Sequence, residues 1–236
     1  MNKKSQSITL RISFVAVFAA IICAGCFISI PLPGGVPITL QNAFALISGT
    51  ILGTWYGGAA VAIFLILGII GVPVFSGMKG GIAHLLGASG GFLWGYLIGT
   101  IIAGFLLGSP KLSEKKITFW RIFKIFLAYF LGLVVLYIFG IWWFIQLKGG
   151  LSQNLTMHQV LMWTLIPFIP GDIIKMIIAI PLTAVLRPVA ARYLFADSET
   201  EKSEKAAVAS LKNQKTKTEQ TKTDKTEQLE SEENQK

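Results

Sequence analysis

Acids are what this chain lacks. Residues 1–196 contain two, Glu114 and Asp172, against thirteen Lys and Arg, while the other ten acids and eight basic residues fall in 197–236. The body therefore carries +11 and the last segment −2. No G-x-x-x-x-G-K-[ST] loop is present, which excludes ATP hydrolysis by that route, and there is no H-E-x-x-H or paired-acid arrangement. No Ser or Cys has a sequence context with His and Asp that supports nucleophilic catalysis, so an enzyme is not expected. Cysteine is scarce too. Cys23 and Cys26 both lie in an apolar run, where C-x-x-C reads as small-residue packing rather than redox or metal chemistry.

Apolar sequence is abundant, at 53% of residues. Strong basicity usually suggests a nucleic-acid partner. Here the Lys and Arg flank apolar runs, the pattern that orients membrane helices, so no nucleic-acid partner is expected. About 20 apolar residues cross the hydrocarbon core. On that measure Ile8–Ile30 is a first helix, Leu85–Leu107 a fourth and Ile125–Leu147 a fifth. Ile38–Gly71 runs 34 residues without a charge, too long for one span, and Gly53-Thr54-Trp55-Tyr56-Gly57-Gly58 breaks it into two short helices. The sixth span either begins near Val160 or begins at Asp172 and runs to Leu194. Pro167, Pro170 and Gly171 favour the second, with Met157–Leu165 as a separate short or re-entrant helix.

The expected fold is all-α: six transmembrane helices over 1–196, followed by a charged, disordered tail at 197–236. Lys and Arg counts on alternate sides put both termini in the cytoplasm of a cell-membrane protein. Residues 31–37, 72–88 and 148–159 then face outward.

Asp172 and Lys175 are three residues apart in an otherwise apolar stretch, hence on one helical face. Ionisable groups at membrane depth are expensive and usually face a partner, a cavity or a substrate. Near them in the expected topology, Thr39, Gln41 and Asn42 offer uncharged hydrogen-bonding groups after a stiff, three-proline segment. Lys79 stands among glycines in a connector that reads as a flap or as an ordinary surface loop. His84 reads as a satisfied or solvated imidazole. Two ladders of small residues, Ala16/Ala20/Ala24 and Gly87/Gly91/Gly95/Gly99/Ala103, each allow close helix approach. The glycine ladder reads as internal packing; the alanine ladder leaves internal packing and a partner surface both open.

Pro31-Leu32-Pro33-Gly34-Gly35-Val36-Pro37-Ile38-Thr39-Leu40-Gln41-Asn42, Gly71-Val72-Pro73-Val74-Phe75, Gly87-Ala88-Ser89-Gly90-Gly91-Phe92 and Gly171-Asp172-Ile173-Ile174-Lys175 occur in an order that resembles the BioY family. BioY proteins are biotin-specific substrate-binding (S) subunits of energy-coupling-factor (ECF) transporters. One departure is Gly87-Ala88-Ser89, where the family usually reads Gly-Pro-Thr. The resemblance spans residues 8 to about 195 and implies a six-helix S-component bundle. It implies capture of biotin from outside, then docking on a membrane coupling protein (T component) driven by two ATPase subunits. It also implies that Ala16, Ala20 and Ala24 form the docking surface. No cofactor is implied. Asp172 suits a ureido N–H, and Lys175 neutralises Asp172 and donates to a ligand oxygen; Gln41, Thr39, Asn42 and Lys79 complete the candidate polar shell. Trp55, Trp163, Phe75 and Phe92 are candidate apolar contacts. A stand-alone secondary carrier for a small vitamin is the other expectation.

Overall fold

The computed structural model describes residues 3–32, 35–111, 118–151 and 156–194. The charged segment 197–236 and Glu114 lie outside them.

Helix α1 covers Lys3–Ala24 and a hairpin of two short strands follows, with β1 (Ser29–Ile30) pairing antiparallel to β2 (Ile38–Thr39). The expected first helix ran on to Ile30, and two features stop it earlier. Gly25 lets the start of the next helix come close, since a Cβ there would lie 3.0 Å from the Gln41 side chain. Beyond it, Pro31 cannot extend a helical hydrogen-bond ladder.

Helices α2 (Gln41–Leu52) and α3 (Thr54–Ile69) are separated by Gly53 alone, at φ +84°, a left-handed conformation suited to glycine. This is the break expected within 38–71. At 1.5 Å per residue the two helices are about 18 and 24 Å long, short of a ~30 Å hydrocarbon core. Gly57 packs directly on the Gly49 backbone, so the pair crosses closely.

After an irregular connector with a bridge between Phe75 and Lys79 come the short α4 (Ile82–Leu85) and α5 (Gly90–Leu107). The expected fourth helix began at Leu85; Gly87 and Gly90 divide it. The 33-residue α6 (Phe119–Leu151) follows, then α7 (Met157–Thr164), a 3-10 turn at Ile166–Phe168, and α8 (Ile169–Leu194). By length and composition α5, α6 and the Met157–Leu194 stretch can cross a membrane, and Ile8–Ala24 and Thr54–Ile69 are shorter apolar helices.

Helix α8 starts at Ile169, three residues before the expected Asp172, with Pro170 tolerated in a first turn that needs no N–H donor; Asp172 lies in that turn, where free N–H groups and the helix dipole favour an acid. It also contains Pro181 and Pro188. Proline has no N–H, so Pro188 leaves the Ala184 carbonyl without its helical donor. Arg121 of α6 fills the vacancy, its Nη2 donating to that oxygen at 2.9 Å.

Far along α8 from Asp172, Arg187 is buried and donates to Thr50 O (2.5 Å), Leu107 O (2.9 Å) and Gly108 O (2.7 Å). It caps the C-terminal ends of α2 and α5 at once, placing a cation where helix dipoles are negative. Thr50 and Thr183 add a hydroxyl pair at 3.1 Å. The hairpin, the connector and Asp172 gather at the other end of the bundle.

Candidate functional site

The Asp172 carboxylate is 5% exposed. Its Oδ1 accepts from Asn42 Nδ2 at 2.9 Å and from Lys175 Nζ at 3.1 Å, and its Oδ2 accepts from the Tyr137 hydroxyl. Burying a charge this fully is tolerable when it is paired and hydrogen-bonded. Helices α2, α6 and α8 each supply part of the cluster.

Lys175 has three ammonium protons, and three acceptors surround it: Thr39 O at 2.7 Å, Asn42 Oδ1 at 2.9 Å and Asp172 Oδ1 at 3.1 Å. Lys175 thus ties the end of the hairpin and the first turn of α2 to the first turn of α8. The Asn42 amide is oriented by its two charged neighbours, its oxygen toward the ammonium and its nitrogen toward the carboxylate.

Above this cluster lies a cleft lined by the polar Thr39, Asn42, Ser76 and Ser89 and the aromatic Phe92, Tyr96, Tyr137 and Phe168. Its free volume is only about 20 Å³, room for about one water, so the side chains close around it in this structure. Phe92 and Phe168 both meet the Tyr137 ring edge-on, at 6.1 and 6.2 Å between centroids. The Tyr96 hydroxyl lies within reach of the Thr39 side chain. The walls suit an apolar ring and the floor suits a group bearing N–H donors.

The expected residues divide. Asp172, Lys175, Asn42 and Thr39 come together. Gln41 is fully buried beside them, but its Nε2 donates to Val74 O at 2.7 Å and Ile22 O at 3.4 Å, so it anchors the connector and the end of α1. Lys79 is exposed on the connector, its backbone paired with Phe75, and lines neither the cleft nor the groove described below. Of the candidate apolar contacts, Phe92 lines the cleft. Phe75 is buried between Phe64 and His84, with its ring over Gly68. Trp163 packs against the core. Trp55 is a correction: it is 85% exposed beside Gly53, at the Arg187 end, because the α2–α3 break points the start of α3 away from the site.

Tyr137, Tyr96 and Phe168 escaped the sequence reading. A signal existed for Tyr137, since a buried acid needs donors beyond one lysine and a hydroxyl inside the uncharged stretch 125–147 is a natural source. His84 has partners, as expected: Nε2 is 3.2 Å from the Ser89 hydroxyl and the ring stacks on Phe75. Burial, then the Lys79 charge, lowers its pKa below the ordinary histidine value.

The two ladders also divide. Ala16, Ala20 and Ala24 are all exposed along α1, while Gly91, Gly95, Gly99 and Ala103 are buried.

A family model described as the BioY family matches residues 1–192. The chain belongs to the BioY family. A probable biotin transporter BioY from Pyrococcus horikoshii is 36% identical over 165 residues, 70% of this chain and 88% of that protein. The biotin transporter BioY from Thermotoga maritima is 36% identical over 166 residues, 69% of this chain and 87% of that one. Among solved structures, the S-component for biotin from an ECF-type ABC transporter superposes with a TM-score of 0.65 at 31% identity, covering 79% of this chain and 94% of that one. The α-helical architecture here is thus that of an ECF S-component. Membership also puts the chain among membrane transporters rather than enzymes.

Proposed function

We propose that this BioY-family chain is the membrane-embedded subunit that captures biotin from outside the cell and delivers it by docking on an ATP-driven coupling module. The single observation that carries the reading is the buried Asp172–Lys175–Asn42–Tyr137 cluster at the base of an aromatic-walled cleft. Biotin presents a ureido ring with two N–H donors and a carbonyl, a thioether ring and a carboxylate tail. An ionised Asp172 accepts a ureido N–H, Asn42 and Thr39 serve the remaining polar atoms, and Phe92, Tyr96 and Phe168 cover the rings. Lys175 acts chiefly by holding Asp172 and Asn42 in place, because its three donors already have acceptors.

Six helices, α1, α2, α3, α5, α6 and α8, cross the cell membrane in this reading, with both termini cytoplasmic by the Lys/Arg asymmetry. Residues 1–196 form the membrane domain and 197–236 a cytoplasmic tail. The partners are a membrane T component and two ATPase subunits, met through the exposed Ala16/Ala20/Ala24 face, with no cofactor beyond the transported ligand.

Equilibrium binding of biotin to the purified full chain in detergent tests this reading. Saturable binding that is lost in Asp172→Asn supports it, and absence of binding by folded protein overturns it. Uptake of labelled biotin by vesicles containing this chain alone would instead favour a stand-alone carrier.

A further inference from the structure

Tyr137 borders two spaces. On one side it lines the cleft; on the other it lines a groove between α6 and α8, walled by Phe130, Val134, Ile138, Ile169 and Ile173, with a volume of about 350 Å³. Asp172 lines the groove and not the cleft, although its partners Asn42 and Tyr137 line the cleft. The carboxylate therefore sits behind those two side chains as seen from the cleft.

The Tyr137 ring has free space behind it, and the aromatic neighbours that hold it, Phe92 and Phe168, touch it edge-on. Its one polar tether among the described contacts is the hydrogen bond to Asp172 Oδ2. We propose that Tyr137 is a specificity-determining residue that guards Asp172: its ring turns toward the α6–α8 groove, and a ligand N–H replaces the phenol on Oδ2. This rests on the biotin reading above and adds the residue that decides which ligands reach the carboxylate.

The exchange swaps one donor for another, so a cyclic urea with a free N–H enters at little cost. A ligand without that proton strips the Tyr137 bond from a buried carboxylate and returns nothing, which polar sites reject strongly. The site thereby selects N–H-bearing rings before the rest of the ligand is read.

Stopped-flow association of biotin with the full chain in detergent tests the idea in variants of opposite sign. Tyr137→Phe removes the tether and keeps the ring, so association is expected to rise about threefold or more, with affinity equal to or above that of the parent chain. Val134 is three residues before Tyr137 on the same helix face and lines the groove. Val134→Phe fills the space into which the ring turns and should slow association by about threefold or more, with Val134→Leu in between. A biotin derivative methylated at both ureido nitrogens should bind the parent chain at least about a hundredfold more weakly than biotin.

Fluorine NMR of 3-fluorotyrosine-labelled chain, with Tyr137 assigned through Tyr137→Phe, reads the ring without any ligand. Exchange broadening of that signal, suppressed in Val134→Phe, is the expected result; a single sharp signal in all variants overturns the proposal. It is also overturned by slower association or weaker affinity in Tyr137→Phe, or by unchanged association in Val134→Phe, since Tyr137 would then simply hold Asp172. If the parent chain binds no biotin, the functional reading fails, and the fluorine signal still decides whether Tyr137 leaves the carboxylate.

Discussion

The alanine ladder on α1 and the glycine ladder on α5 follow the same four-residue rule and end in opposite surroundings. A Cβ on Gly95 would stand 2.8 Å from the Leu136 carbonyl oxygen, one on Gly99 would press on the Gly132 backbone, and one on Gly91 would enter the Trp143 side chain. The α5 ladder is a seam that brings α6 to backbone contact. On α1 the helix packs through Val15, Ala19 and Ile22, all buried, while Ala16, Ala20 and Ala24 face out. A seam already used by a neighbour fixes the fold; one left open is a surface on which another membrane helix can pack closely.

That contrast breaks most sharply under enlargement. Gly95→Leu should be the most disruptive change, costing about 1–3 kcal/mol or more as α6 is pushed from α5, seen as loss of folded protein or a lower thermal midpoint in detergent. Ala20→Trp makes an even larger addition and should leave the midpoint and biotin binding close to those of the parent chain, while abolishing copurification of the T component and uptake in cells. Loss of biotin binding in Ala20→Trp would place the alanine face inside the fold, and normal uptake would show that it is no docking surface.

The ligand cluster comes next in size of effect. Asp172→Asn and Lys175→Ala should each weaken biotin by more than about 1.4 kcal/mol, tenfold in affinity, because each strands buried partners. The double variant should lose less than the sum, since the two share Asn42 and each other. Additive losses in a titration of all three variants would separate the residues functionally.

A smaller effect concerns pH. Burial and Lys79 lower the His84 pKa in the folded chain, so the folded state binds fewer protons there than the unfolded one. Stability is then intact above the ordinary histidine value of about 6.5 and falls as pH drops below it. Melting the full chain between about pH 7 and 5 should show that decline, flatter in His84→Gln.

The smallest effect is expected from the tail. Truncation after Ala196 should leave biotin affinity unchanged in an equilibrium titration, because the family match ends at residue 192 and segment 197–236 has no apolar face to bury.

Much of the architecture was legible in the residues. The break at Gly53, the start of α8 close to Pro167 and Pro170, and the pairing of Asp172 with Lys175 are local matters of backbone dihedrals and helical spacing, settled within a few neighbours. The end of α1 was less legible, because Gly25 matters through Gln41, sixteen residues away. Thr39, Gln41 and Asn42 were readable as polar groups on entry to a helix, but not their separate duties.

By itself the sequence determined a membrane chain with one acid in its apolar segments, a lysine on the same helical face, and small-residue seams at fixed spacing. Charge cost in hydrocarbon and helical periodicity need nothing beyond the sequence. The tertiary structure decided the partners: Asn42 reaches Asp172 across 130 positions, Lys175 reaches Thr39 across 136, and Tyr137 arrives from a third helix. It also decided which ladder is buried, because spacing fixes the face a helix presents and only packing chooses what covers that face.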